Sequence, residues 1–149
     1  MRTALLLALI SAIAMPVRSE DRTGSEQEVR EALAHFLRAF ENRDMQSFIG
    51  CFEQDATVFF PTAKPPSRFD GRDAIQRHFE QVFAAIRQSS PSSTPPFHKL
   101  VPERLRVQLV GDKAAVVTFQ MGNNQRVARR TLVLQKRGDA WLIFHLHAI

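Results

Sequence analysis

An α+β fold, with helices packed on one face of a sheet, is predicted by the order of periodicities along this chain. Three segments with apolar residues at helical spacing fill its first half. Strands alternating with period two fill the second, and the last two fold back on each other as a hairpin. The length of 149 residues suits one domain, and a hydrophobic content of 44% with 12 Phe is ample for a packed core.

The chain starts with Met1-Arg2-Thr3 and an apolar run from Ala4 to Ala14 that closes on Ala12-Ile13-Ala14, a small-residue cleavage pattern. The run falls short of the roughly 20 apolar residues that span a bilayer. Residues 1–14 therefore read as a signal peptide, and the expected location is secreted or periplasmic. No later stretch is apolar enough to cross a membrane. Residues 15–24 are polar and aperiodic, a linker, which leaves residues 25–149 as the domain. Cys51 is the only cysteine, so no internal disulfide can form, and it reads as a small buried apolar residue.

Ser25-Glu26-Gln27-Glu28 has the pattern of a capping box and predicts a helix start. Val29, Leu33, Phe36, Leu37 and Phe40 follow as its apolar stripe, ending near Asn42-Arg43. Asp44 then caps a short helix that buries Phe48, Ile49 and Phe52, with Gln54-Asp55 closing it. Ala56 to Phe60 is a strand by its β-branched and aromatic content, stopped by Pro61. Pro61 to Phe69 reads as a loop. Asp70-Gly71-Arg72-Asp73 opens a third helix, whose stripe is Ile75, Phe79, Val82, Phe83 and Ile86. Gln88 to Pro96 has no apolar residue to pack and reads as a loop.

Beyond Leu100 the period changes. Leu105, Val107 and Leu109 alternate with polar neighbours, Gly111-Asp112 turns into Ala114 to Met121, and Gly122-Asn123-Asn124 turns into Val127 to Lys136. Gly138-Asp139 then makes a two-residue hairpin loop, which pairs Arg137 with Ala140 and, counting outward, Leu132 with His145 and Arg130 with His147. In that register Trp141, Ile143, His145 and His147 share a face with Arg130, Leu132 and Leu134. The other face carries Leu142, Phe144 and Leu146 with Thr131 and Val133. Both faces are largely apolar, so one is expected to meet the chain's own helices and the other a second chain. A three-residue loop would instead pair Thr131 with His147.

The formal charge of +5 and pI near 10.3 admit an anionic partner, yet no basic run exceeds two residues. A nucleic-acid binder would gather its cations on one element, so that class is set aside.

Several stretches in this order carry a family resemblance. They are Asn42-Arg43-Asp44, Phe52 to Val58, Asp70-Gly71-Arg72, Gly111-Asp112-Lys113-Ala114, and Arg130 to Leu134 through Trp141 to His147. Together they resemble the nuclear transport factor 2-like superfamily, specifically its SnoaL-like branch. The closing strand is also similar to the association domain of calcium/calmodulin-dependent protein kinases. The resemblance implies a curved antiparallel sheet wrapped round three helices into a cone, an internal pocket at its wide end, and a homodimer through the sheet. It does not fix a function.

Steroid isomerases of this fold use a Tyr on the first helix and a base before a Pro on the first strand. Here those places hold Phe36 and Phe60, and a phenyl ring neither donates to an oxyanion nor takes a proton. The remaining readings differ in class. In the first, an exported binding protein takes an apolar molecule with an acidic head, possession of a fixed charge making Arg130 the anchor and His147 a second donor. His145, Trp141, Phe36, Phe40 and Phe60 complete the expected pocket. In the second, a dehydratase, isomerase or hydrolase uses His145 or His147 as acid or base, oriented by Asp44, Glu53 or Asp55. In the third, a dimeric assembly module has no ligand. A metal would need His35, His78, His98 or an acid beside His145 and His147, and no spacing demands one. No catalytic residue is assigned, and neither a metal nor a cofactor is expected.

Overall fold

The computed structural model describes residues 19–62, 67–123 and 126–149. Its elements in order are α1 (Ser19–Asn42), α2 (Met45–Gly50), β1 (Phe52–Phe59), β2 (Arg68–Asp70), α3 (Arg72–Ser89), β3 (Glu103–Val110), β4 (Ala114–Asn123), β5 (Arg126–Arg137) and β6 (Ala140–Ala148). The strands form one curled, unclosed sheet in the order β2-β1-β6-β5-β4-β3, with the helices against its inner face. All neighbouring pairs are antiparallel except β1 with β6, which run parallel. The expected signal peptide lies outside the described residues. Among the described residues no helix is long and apolar enough to cross a membrane.

Helix α1 begins at Ser19, so residues 19–24 of the expected linker are helical and Ser25 lies within the helix. Pairs at helical spacing support the turns that follow, Arg30 with Glu26 at 2.7 Å and Gln27 with Glu31 at 3.0 Å. Glu28 is not spent on a capping box: its carboxylate reaches across to β5 and β6. The helix stops through a Schellman motif, with Arg43 N–H donating to the Phe40 carbonyl at 3.1 Å and Asp44 N–H to that of Ala39 at 3.0 Å. Asp44 then caps α2 as expected, accepting from the Ser47 N–H at 3.1 Å.

Strand β1 starts at Phe52, four residues before the expected Ala56, because Cys51 already caps α2. Residues Arg68–Asp70, expected in a loop, form the short edge strand β2. The Asp70-Gly71-Arg72 motif opens α3 by a division of labour. Asp70 accepts from Thr57 Oγ1 and Arg68 Nε, Gly71 adopts a φ of 80° that favours glycine, and Arg72 Nε donates to the Phe52 carbonyl at 2.7 Å. The helix start is thereby fixed onto β1.

Phe48 is fully buried, with the rings of Phe36, Phe40, Phe52, Phe79 and Phe83 centred 4.7–6.0 Å away. These rings join all three helices to β1 and fill the deep part of the cone. Cys51 is buried beside them, and its thiol donates to the Ser47 carbonyl.

The last hairpin departs from the expected register. Arg137 pairs with Ala140 as predicted, and Leu134 with Ile143, but a bulge between Val133 and Leu134 shifts everything beyond it. Leu132 stands opposite Leu146, Thr131 opposite His147 and Arg130 opposite Ala148. One extra residue on β6 reverses the side to which later side chains point. His145 and His147 are therefore on the outer face with Thr131 and Val133, whereas Leu146, expected outside, is buried within.

Candidate functional site

The mouth of the cone holds a cavity of about 710 Å³. Its apolar wall comes from Phe36 and Phe40 on α1, Phe60 after β1, Phe79 on α3, Phe119 on β4 and Leu146 on β6. The polar groups around it are Arg130 on β5, Ser89 at the end of α3, and His98, Lys99 and Glu103 on and after the segment that leads into β3. The volume is in the range of ordinary small-molecule sites.

Arg130 reaches the cavity because its cross-strand partners, Phe119 and Ala148, are both buried inner-face residues. Its Nη1 donates to the carbonyl oxygens of Arg129 at 2.9 Å and Ile149 at 3.3 Å, and no acidic side chain pairs with it among the described residues. Burial pushes its pKa down from the usual guanidinium value, the mark of a cation partly stripped of water.

Of the expected pocket residues, Phe36, Phe40, Phe60 and Arg130 are brought together. His145 and His147 are not. Strand β1 places Thr57 beside His145 and Phe59 beside His147, and the Phe59 ring is centred 5.8 and 5.6 Å from the two imidazoles. The Arg68 guanidinium lies over the same ring, 5.8 Å from its centre. Burial, then the neighbouring His147 and Arg68, holds the His145 pKa down. Neither imidazole can act on a molecule in the cone, so their expected roles as donor or acid–base are withdrawn.

Trp141 is also elsewhere. It lines a smaller cleft of about 420 Å³ between α1 and the β5–β6 hairpin, with Glu28, Glu31, His35 and Cys51. Burial raises the Cys51 thiol pKa to about 11, so it stays protonated and unreactive there. Two of the three carboxylates proposed to orient a histidine have structural partners instead: Asp44 caps α2, and buried Glu53 receives Arg137 Nε at 3.0 Å. Among the described residues no group of three or more His, Cys, Asp or Glu is placed to hold a metal ion.

Most of the other lining residues, Phe119, His98 and Lys99 among them, escaped the sequence reading as pocket residues. Phe119 carried a usable signal, alternating in step with Ala115 and Val117 on β4. His98 and Lys99 carried none, since they follow a Ser- and Pro-rich stretch without periodicity.

The SnoaL-like domain family matches residues 29–148 of the chain. Among solved structures, a nuclear transport factor 2-like protein of unknown function from Pseudomonas putida KT2440 superposes with a TM-score of 0.66 at 21% identity, covering 85% of this chain and 86% of its own. A protein from Xanthomonas campestris, named for the association domain of calcium/calmodulin-dependent protein kinase II, gives 0.61 at 22% identity and covers 96% of both chains. A protein from Novosphingobium aromaticivorans DSM 12444, named as a scytalone dehydratase, gives 0.69 at 9% identity, covering 88% of this chain and 87% of its own. No curated protein matches. At these identities the neighbours show the cone fold, and the family match shows the lineage: the chain belongs to the SnoaL-like domain family of the nuclear transport factor 2-like superfamily.

Proposed function

We propose that this chain is an exported small-ligand-binding domain whose cone takes an apolar molecule with an acidic head group. Arg130 receives the head, and Phe36, Phe40, Phe60 and their neighbours enclose the body. The observation that carries this reading is a half-buried guanidinium on the inner face of β5, facing a phenyl-lined cavity, with no Asp or Glu side chain paired to it among the described residues. Desolvating an unpaired charge is costly, and a carboxylate of the ligand would restore the lost interactions bidentately. The name of the Novosphingobium neighbour as a scytalone dehydratase supports a pocket open to organic compounds. Export rests on the leader-like start of the sequence.

The outer sheet face supports a homodimer alongside this role. It exposes Phe144 at 37% and holds half-buried Phe59 and Val133, and no helix among the described residues covers it. The pocket lies on the other face, so dimerisation and binding are compatible.

Calorimetry with a panel of aromatic and aliphatic monocarboxylates tests the binding reading. Wild type should bind members of the panel, and Arg130→Ala should weaken them about tenfold or more, the size expected for a charge-assisted hydrogen-bonded pair. Equal affinities for the two proteins would overturn it.

A further inference from the structure

The cavity has a second polar region, on a segment held in place by the end of α1. Between α3 and β3 the backbone is irregular, yet it is bonded at several points. Phe97 N–H donates to the Glu41 carbonyl at 3.0 Å, Leu100 N–H donates to the Glu41 carboxylate at 2.5 Å, and Ser90 Oγ donates to the Phe97 carbonyl at 2.8 Å. One residue of α1 thus grips both ends of the stretch Phe97 to Leu100. The two residues between these grips are His98 and Lys99, both exposed and both lining the cavity.

Arg130 stands on a different wall. It is carried by β5, and β4 separates that strand from β3, before which the gripped stretch lies. The apolar side chains of Phe119, Phe40 and Leu146 contribute to the surface of the same cavity. Cationic donors are therefore supplied by two separate elements around one greasy space, and among the described residues that line it the one carboxylate is that of exposed Glu103. A molecule with one acidic group would satisfy only one of these elements.

We infer that the cone selects elongated dianions: an aromatic or other apolar body whose first carboxylate meets Arg130 and whose second acidic group meets Lys99 and His98 on the strap gripped by Glu41. This rests on the reading of Arg130 as the head-group anchor and deepens it. Lys99 is a specificity-determining residue, and Glu41 is a positioning residue, because it acts by holding the strap. Glu103 tempers the preference by setting a like charge near the second acid.

The test is calorimetry at neutral pH and low salt with matched rigid probes: naphthoate against naphthalenedicarboxylate, and biphenyl carboxylate against biphenyl dicarboxylate, each diacid carrying its groups at opposite ends. Wild type should bind at least one diacid about tenfold more tightly than the matching monoacid. Lys99→Gln and His98→Ala should each reduce that ratio, lowering diacid affinity more than monoacid affinity. Glu41→Ala should reduce it too, with the cone's thermal transition otherwise intact, and Glu103→Gln should raise diacid affinity. Equal wild-type affinity for diacids and monoacids, or a preference that survives Lys99→Gln and His98→Ala combined, overturns the inference while the anchor reading stands. Monoacid affinity that is unchanged in Arg130→Ala overturns the anchor reading itself, as does failure of wild type to bind any of the probes.

Discussion

The indole N–H of Trp141 donates to the Glu28 carboxylate at 2.9 Å, and Lys136 Nζ donates to the same oxygen at 2.6 Å. Lys136 and Trp141 are cross-strand partners, so one carboxylate on α1 clasps both strands of the final hairpin. These two donors, Lys136 first, hold the Glu28 pKa below its usual carboxylate value. A carboxyl that is harder to protonate folded than unfolded contributes stability above its unfolded pKa and loses it as pH falls through the folded one. Glu28→Gln should lower the thermal transition at neutral pH, and its deficit relative to wild type should shrink as pH falls below about 4.5, the ordinary range for glutamate. Melting curves across that range check it; a constant deficit would show that the pair is steric, not ionic.

Arg43 sits at the end of α1 with a positive φ of 55° and is only 5% exposed. Its Nη1 donates to the Phe40 carbonyl, while Nε and Nη2 have no partner among the described residues. The guanidinium stacks near Phe40 and Phe83, at 5.0 and 5.6 Å from their ring centres. Unmet buried donors cost about 1–3 kcal/mol each, against about 0.5–2 kcal/mol for a cation–π contact. The Phe40 carbonyl also keeps the backbone donor of Arg43 if the side chain is lost. Arg43→Met, which retains an apolar stem, should therefore stabilise the fold by on the order of 1 kcal/mol in denaturant unfolding. Arg43→Val should destabilise it, because a β-branched residue resists positive φ. A loss of stability in the Met variant would mean that hidden partners satisfy the guanidinium.

The outer face makes its own prediction. A homodimer formed there would bury Phe144 and place the imidazoles of His145 and His147 near the contact, with over about 1,000 Å² covered in all. Phe144→Glu should convert a dimer to a monomer in light scattering, since it sets a charge in the apolar centre of the contact. The same variant should keep its carboxylate binding, because the cone lies on the opposite side of the sheet. A wild-type monomer, or a dimer that persists in Phe144→Glu, would remove this face from consideration.

Much of the architecture was legible in local pattern. The stripe from Val29 to Phe40, the second stripe from Ile75 to Ile86 and the alternation along β4 each repeat with the period of the element they form, so burial follows from spacing alone. Arg68–Asp70 was not legible, because three residues carry no period and the strand exists only by pairing with β1. The early start of β1 was hidden for a related reason: Phe52 suits the apolar side of a short helix as well as an inner strand position.

The amino-acid order by itself determined the α+β class, the helix stripes, the two-residue turn at Gly138-Asp139, and the presence of an Arg-Arg pair leading into the apolar positions of the penultimate strand. Those depend on neighbours a few residues apart. That Arg130 shares a face with Leu132 and Leu134 follows from alternation, but on which side of the sheet His145 and His147 lie was decided only by tertiary structure. Beyond the bulge, β6 must place Leu146 and Ala148 inward while its own pairing with β1 continues. That demand comes from strands distant in sequence, and a one-residue slip in a period-two element exchanges inside for outside. The guanidinium was thereby left in the cone and both imidazoles were carried out of it.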